Sequence, residues 1–75
     1  MHHQPTPDER RRIFGERLRA ARLDANLTQQ QVSLRAGIRI ATYSDIEQAY
    51  SSPRLDTLFR IADAIGVPLS DLVRT

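Results

Sequence analysis

Apolar residues recur along the chain three and four positions apart and nowhere alternate over the length of a strand, so the pattern predicts helices and no sheet. The first inward stripe is Ile13, Phe14, Leu18, Ala21 and Ala25. It starts at Thr6-Pro7-Asp8-Glu9, where Thr6 caps, Pro7 takes the first helical position and Glu9 can return a bond to the cap. It ends at Asn26, a residue that tolerates the left-handed conformation. Thr28 and Gln31 repeat the capping arrangement, with Leu27 and Val32 spaced as a hydrophobic staple, so a second helix starts at Gln29. Gly37 closes it near Ala36, because a residue without a Cβ turns left-handed at no steric cost. A third helix is predicted at about 39–48, with Ala36, Ile38, Thr42, Tyr43 and Ile46 placed inward and Arg39, Ile40, Ala41, Ser44, Asp45 and Gln48 on the other face. Gln48-Ala49-Tyr50-Ser51-Ser52-Pro53 is a loop by composition. A fourth helix runs from Arg54 or Leu55 to Ile65, with Leu55, Leu58, Ile61, Ala62 and Ile65 on one face and Gly66 as its terminator. Pro68 opens a last short helix through Val73 that packs Leu69 and Leu72. The expected fold class is all-α, with five helices in a single domain over residues 7–75 behind a flexible leader of residues 1–6.

Composition narrows the function more by exclusion than by assertion. The chain of 75 residues has room for one domain, and chains this small bury only about 60% of their unfolded surface, so self-association into a homodimer would help. Val67, Leu69, Leu72 and Val73 supply either that interface or the closure of the monomer's own core. There is no cysteine, which removes disulfides, thiolate metal sites and cysteine nucleophiles together. The two histidines, His2 and His3, sit side by side in the leader, an arrangement that suits a disordered tail better than a metal site. With no Gly-rich phosphate loop and only scattered carboxylates, no catalytic residue, cofactor, metal or small-molecule ligand is expected. No apolar run approaches the roughly 20 residues of a membrane span and no signal-peptide core is present, so a cytoplasmic protein without membrane contact is expected. All 11 basic residues are arginine, yet the net charge is only +2. So small a sum leaves the partner open, and placement matters more. The Arg10-Arg11-Arg12 run either reaches a phosphate backbone or is simply solvated.

Placement points to DNA. Two short helices joined by a tight turn at Gly37 can lay the second in a groove, and the exposed Ile40 and Ala41 on its polar face would meet thymine methyls there. On the same face Arg39 can bond guanine, Ser44 lies close by, and Asp45 either accepts from a cytosine amine or orients a neighbouring arginine. At the start of the helix before it, unpaired N–H groups and a partial positive charge suit a phosphate, and Gln29 adds an amide donor or merely finishes the cap.

The pattern Phe14-Gly15-x-x-Leu18 with Arg22, then Leu27-Thr28-Gln29, Gly37, Ser44-x-Ile46-Glu47, Pro53, Leu58, Ile61-Ala62 and Leu72, in that order, resembles the Cro and phage-repressor type of helix-turn-helix, the Xre family of transcriptional regulators, over residues 14–73. The resemblance implies a five-helix, lambda-repressor-like domain that binds double-stranded DNA sequence-specifically as a homodimer on an inverted-repeat operator. It implies phosphate contacts from Gln29 and from a second clamp at Gln48, Tyr50, Ser51 and Arg54, and base contacts from Arg39, Ile40, Ala41, Ser44 and Asp45. It also implies a structural salt bridge between Arg22 and Glu47. The chain departs from the family at Ser33 for alanine, Arg39 for serine or threonine, Tyr43 for a branched aliphatic and Ala49 for glycine. The alternative is an antitoxin-type protein that binds a partner toxin and regulates its own promoter; a protein that has lost DNA binding is a third reading. A chain ending at Thr75 leaves no segment to wrap a toxin, which favours a stand-alone DNA binder.

Overall fold

The computed structural model describes residues 4–74, which hold five helices and no strand: α1 (Pro7–Asp24), α2 (Gln29–Ala36), α3 (Ile40–Glu47), α4 (Leu55–Ile65) and α5 (Leu69–Val73). Both capping boxes form. Thr6 Oγ1 accepts from the Glu9 N–H at 3.1 Å and Glu9 Oε1 from the Thr6 N–H at 3.0 Å, with Pro7 at the first helical position. At α2, Thr28 Oγ1 accepts from the Gln31 N–H at 3.1 Å and Gln31 Oε1 from the Thr28 N–H at 2.8 Å. Each box satisfies two backbone donors that a helix start otherwise leaves unpaired. His2 and His3 lie outside the described residues. Gln4, also in the leader, accepts a hydrogen bond from Arg10 Nη2 at 3.2 Å, and Arg11 pairs with Asp8.

Four helices end in one manner. A residue with positive φ follows each of them: Asn26 (58°), Gly37 (71°), Ala49 (63°) and Gly66 (91°). The next residue then donates its N–H back five positions, from Leu27 to Arg22 O at 3.1 Å, Ile38 to Ser33 O at 3.0 Å, Tyr50 to Asp45 O at 2.9 Å and Val67 to Ala62 O at 3.1 Å. This is the Schellman ending, which needs a left-handed residue and favours glycine or asparagine. Alanine at position 49 keeps the geometry against its own preference, because a Cβ in that conformation costs roughly 1–2 kcal/mol. Ala49→Gly is therefore expected to stabilise the protein by about 1 kcal/mol once glycine's extra chain entropy is deducted. A higher urea midpoint at unchanged slope would register it.

Leu18, Leu27, Val32, Ala36, Tyr43, Ile46, Ile61, Ala62, Ile65 and Leu72 form one buried cluster. Around it α2 packs on α4 and α3, α1 crosses α3 and meets α5, and α4 meets α5. Arg35 Nη1 donates to Ala64 O at 3.3 Å, a further tie between α2 and α4. Ser33 is buried, and its hydroxyl is satisfied by the Gln30 carbonyl one turn back at 2.8 Å.

Several expected positions differ. Thr42 is exposed, not inward; of the expected neighbours Thr42 and Tyr43 only Tyr43 is buried, because one residue along a helix is a rotation of about 100°. Leu55 is 60% exposed. It is the first residue of α4, and helical side chains lean toward the N-terminus, here past the stretch covered by the core. Ala25 is the exposed cap after α1, while Gly15 and Arg22 are the buried positions that the apolar stripe did not predict. Leu72 is 1% exposed within a single chain and so closes the monomer core; Val67 and Leu69 are half-buried against it, and Val73 is 46% exposed. Leu72 is thereby withdrawn from any interface between copies.

Candidate nucleic-acid interface

Gly37, Ile38 and Arg39 are all that separate α2 from α3, and three features fix the second helix against the rest of the molecule. Tyr43 and Ile46 anchor its inner face in the core, at 0% and 2% exposure. Gly15 receives its end: a Cβ built there would stand 2.2 Å from the Glu47 carbonyl oxygen and 3.0 Å from its carbon, so α1 crosses the last turn of α3 backbone against backbone. Glu47 is the third.

The Glu47 carboxylate gathers three helices. Oε2 accepts from Arg22 Nε of α1 at 2.7 Å, and Oε1 accepts from Arg22 Nη2 at 3.2 Å and from Gln29 Nε2 of α2 at 3.1 Å. Arg22 Nη1 also donates to the Leu27 carbonyl at 3.0 Å, which ties the α1–α2 link to the same group. The side chains of Arg22 and Glu47 are only 10% and 3% exposed. Burial alone would raise the Glu47 pKa, but the hydrogen bonds from Arg22, the neighbouring Tyr43 hydroxyl, the hydrogen bond from Gln29 and the charge of Arg22 together outweigh it and hold the carboxyl below its ordinary 4.5. The hydrogen bond to Glu47 raises the Arg22 pKa further, against the opposing effect of desolvation. Tyr43 stands beside this pair with its Oη buried and, among the described residues, without a hydrogen-bond partner that meets distance and angle. Burial, then the nearby carboxylate, pushes its pKa up against the opposite pull of Arg22.

The outer face of α3 is open. Arg39 caps the helix through its backbone alone, and Arg39, Ala41 and Asp45 are exposed, with Ile40 48% exposed. Neither Arg39 nor Asp45 forms an ion pair among the described residues. Ser44 is half-buried and its Oγ accepts from Gln48 Nε2 at 2.9 Å, so these two candidates, assigned separately to bases and phosphate, hold each other. Ile40 lines one open depression with Leu23, Thr28, Gln29 and Gln30, which sets the start of α3 beside the start of α2. Beyond α3, Tyr50 is 76% exposed, Ser51 is half-buried and Arg54 is the exposed cap residue of α4. Sequence reasoning missed Thr42, which joins the exposed face, and the close approach at Gly15. The second had a signal: a lone glycine inside a helical pattern points to close packing.

Among the described residues there is no group of three metal-ligating side chains and no helix long and apolar enough to cross a membrane. The helix-turn-helix family model matches residues 18–72. The chain is similar to the cryptic phage CTXphi transcriptional repressor RstR of Vibrio cholerae, at 33% identity over 81% of this chain and 55% of the relative. It is similar to the immunity repressor protein of Bacillus phage phi105, at 36% identity over 79% of this chain and 41% of the relative. Against the control protein C.BamHI of Bacillus amyloliquefaciens the identity is 31%, over 84% of this chain and 79% of the relative. The chain thus spans about half the length of the first two relatives. With five helices, a tight turn between α2 and α3 and a family match across that unit, the chain belongs to the helix-turn-helix family of the Cro and phage-repressor (Xre) type, a family of transcriptional regulators.

Proposed function

We propose that this chain binds duplex DNA sequence-specifically as a transcriptional repressor, with α3 in the major groove. The observation that carries the reading is the division of α3 into a locked inner face, Tyr43, Ile46 and Glu47, and an open outer face, Arg39, Ile40, Ala41, Thr42 and Asp45. A helix that is to read bases must be held rigidly while presenting side chains that the fold does not use. Ile40 and Ala41 meet thymine methyls, Arg39 suits guanine, and Asp45, unpaired in the free protein, accepts from a cytosine amine. Gln29 at the start of α2, with Gln48, Tyr50, Ser51 and Arg54 after α3, contacts phosphates; these contacts set the register and carry no sequence information. Two relatives named as repressors support repression as the mode; a regulator bound to DNA in this way would work in the cytoplasm, on the nucleoid.

One α3 reads only a few base pairs, so a two-fold homodimer on an inverted repeat supplies the missing information, with half-site centres about 10 base pairs apart or a multiple of that. Affinity is expected to fall with salt by about 0.9 in log–log slope for each phosphate neutralised. Gln29→Ala should weaken binding to all sequences alike, whereas replacing Ala41 should change preference at one or two base pairs by roughly 1–3 kcal/mol. Titration of selected and random duplexes at several salt concentrations tests this. A flat salt response, or equal affinity for both duplexes, excludes the function, and a single protomer on an asymmetric footprint excludes the dimer.

A further inference from the structure

The side-chain amide of Gln29 is not free to turn. Its Nε2 donates to Glu47 Oε1 at 3.1 Å, and an ionised carboxylate only accepts, so the nitrogen and not the oxygen of the amide must face Glu47. Glu47 is itself held from α1 by two bonds from Arg22, at 2.7 and 3.2 Å, and is screened from water. One N–H of the Gln29 amide is thus spent inside the protein, and the second remains on a nitrogen whose place is set by α1 and α3. Around it the cap is already full: the Thr28 hydroxyl takes the Gln31 N–H and the Thr28 carbonyl takes the Val32 N–H. The backbone N–H groups of Gln29 and Gln30 are left as donors at the same end of α2.

We propose that Glu47 is a positioning residue for DNA binding, one that fixes the Gln29 amide so that its remaining N–H joins those backbone donors on a phosphate. The role rests on the reading of α2 and α3 as a DNA-binding unit. A free glutamine presents its oxygen to an anion as readily as its nitrogen and loses rotamer freedom when it binds; here orientation and ordering are settled on folding. Arg22 completes the device, since its guanidinium compensates the Glu47 charge that would otherwise repel an approaching phosphate. The same glutamate thereby sets both the end of α3, through its carbonyl at Gly15, and the rotamer of the phosphate donor on α2. Phosphate contact and base contact are registered to each other by one residue.

The test measures what Gln29→Ala costs in three backgrounds, using a mixed-sequence duplex of about 20 base pairs at low salt, where phosphate contacts dominate. In the otherwise unsubstituted chain the loss should be about fivefold, the worth of one hydrogen bond. With Glu47→Gln, whose amide can donate as well as accept and whose one oxygen is contested by Arg22, the Gln29 orientation is no longer forced and the loss should shrink. With Arg22→Met and Glu47→Met together, a replacement that commonly leaves a fold intact, it should shrink to less than about twofold. Thermal melts confirm that each protein is folded at the working temperature. Side-chain amide signals in nitrogen-15 spectra give a readout without DNA: one Gln29 amide proton should be shifted from its free-glutamine position and protected from exchange in the unsubstituted protein, and both should return to free-glutamine behaviour in the double methionine variant. An undiminished fivefold loss in that variant overturns the role. If the unsubstituted chain binds no duplex, function and role fall together, and the amide signals still report whether the tie exists.

Discussion

Gly15→Ala is expected to lower the melting temperature by roughly 10–20 °C, although alanine is the better helix former by about 1 kcal/mol. The added Cβ would stand 2.2 Å from the Glu47 carbonyl oxygen, and the obstacle is backbone at the end of a short helix, not the tip of a flexible side chain. Either α1 and α3 separate or the last turn of α3 distorts. Overpacking of this kind costs typically 1–3 kcal/mol, and the absence of any flexible atom to yield puts this site at the upper end, well above the gain in propensity. Calorimetry measures the loss. A melting temperature unchanged or raised would mean that the two helices part without cost and that the crossing does not constrain α3.

Removing one partner of the buried ion pair should cost still more. Arg22→Met strands a carboxylate that is 3% exposed, and breaking such a pair costs about 3–5 kcal/mol, against the roughly 4–11 kcal/mol expected for the whole domain. Replacing both partners by methionine should restore most of the loss. The dependence on pH separates the cases by sign. In the unsubstituted protein the folded Glu47 pKa lies below its ordinary 4.5, so the pair's contribution is complete above that value and disappears as the pH falls through the folded pKa. In Arg22→Met burial, the largest influence on Glu47, is opposed only by Tyr43 and the one hydrogen bond from Gln29, so the folded pKa rises relative to that of the unsubstituted protein. That variant should gain stability relative to the unsubstituted protein as the pH is lowered, and the double variant should show neither effect. Urea denaturation between about pH 3 and pH 7 reads all three. A parallel acid response in all of them would remove Glu47 from the account.

What could be read from the residues in order was local chemistry. Thr6 with Glu9, Thr28 with Gln31, and the left-handed residues Asn26, Gly37 and Gly66 declare helix ends because each acts on backbone within a turn or so of itself. Ala49 was legible only as a departure; that it keeps positive φ depends on the Tyr50 N–H reaching the Asp45 carbonyl, which composition does not reveal. The crossing at Gly15 joins positions 32 residues apart, 47 less 15, and no periodicity within α1 encodes it. Likewise Thr42 and Leu55 fit apolar stripes on their own helices, but which flank is covered is decided by the neighbouring helix. For the same reason the outward set at Ile40, Ala41 and Asp45 emerged from the spacing on α3, whereas the bond from Gln29 to Glu47 could not.

The division of labour on α3 bears on how such a protein can change its target. Arg39, Ala41, Thr42 and Asp45 are exposed and make no side-chain bond to the rest of the chain among the described residues. Exchanges at sites like these usually alter stability by no more than about 0.5 kcal/mol. On the proposed function, selection could therefore rewrite this surface one residue at a time without passing through unfolded intermediates, and a duplicated copy could drift to a new DNA target while Gly15, Arg22 and Glu47 stay as they are.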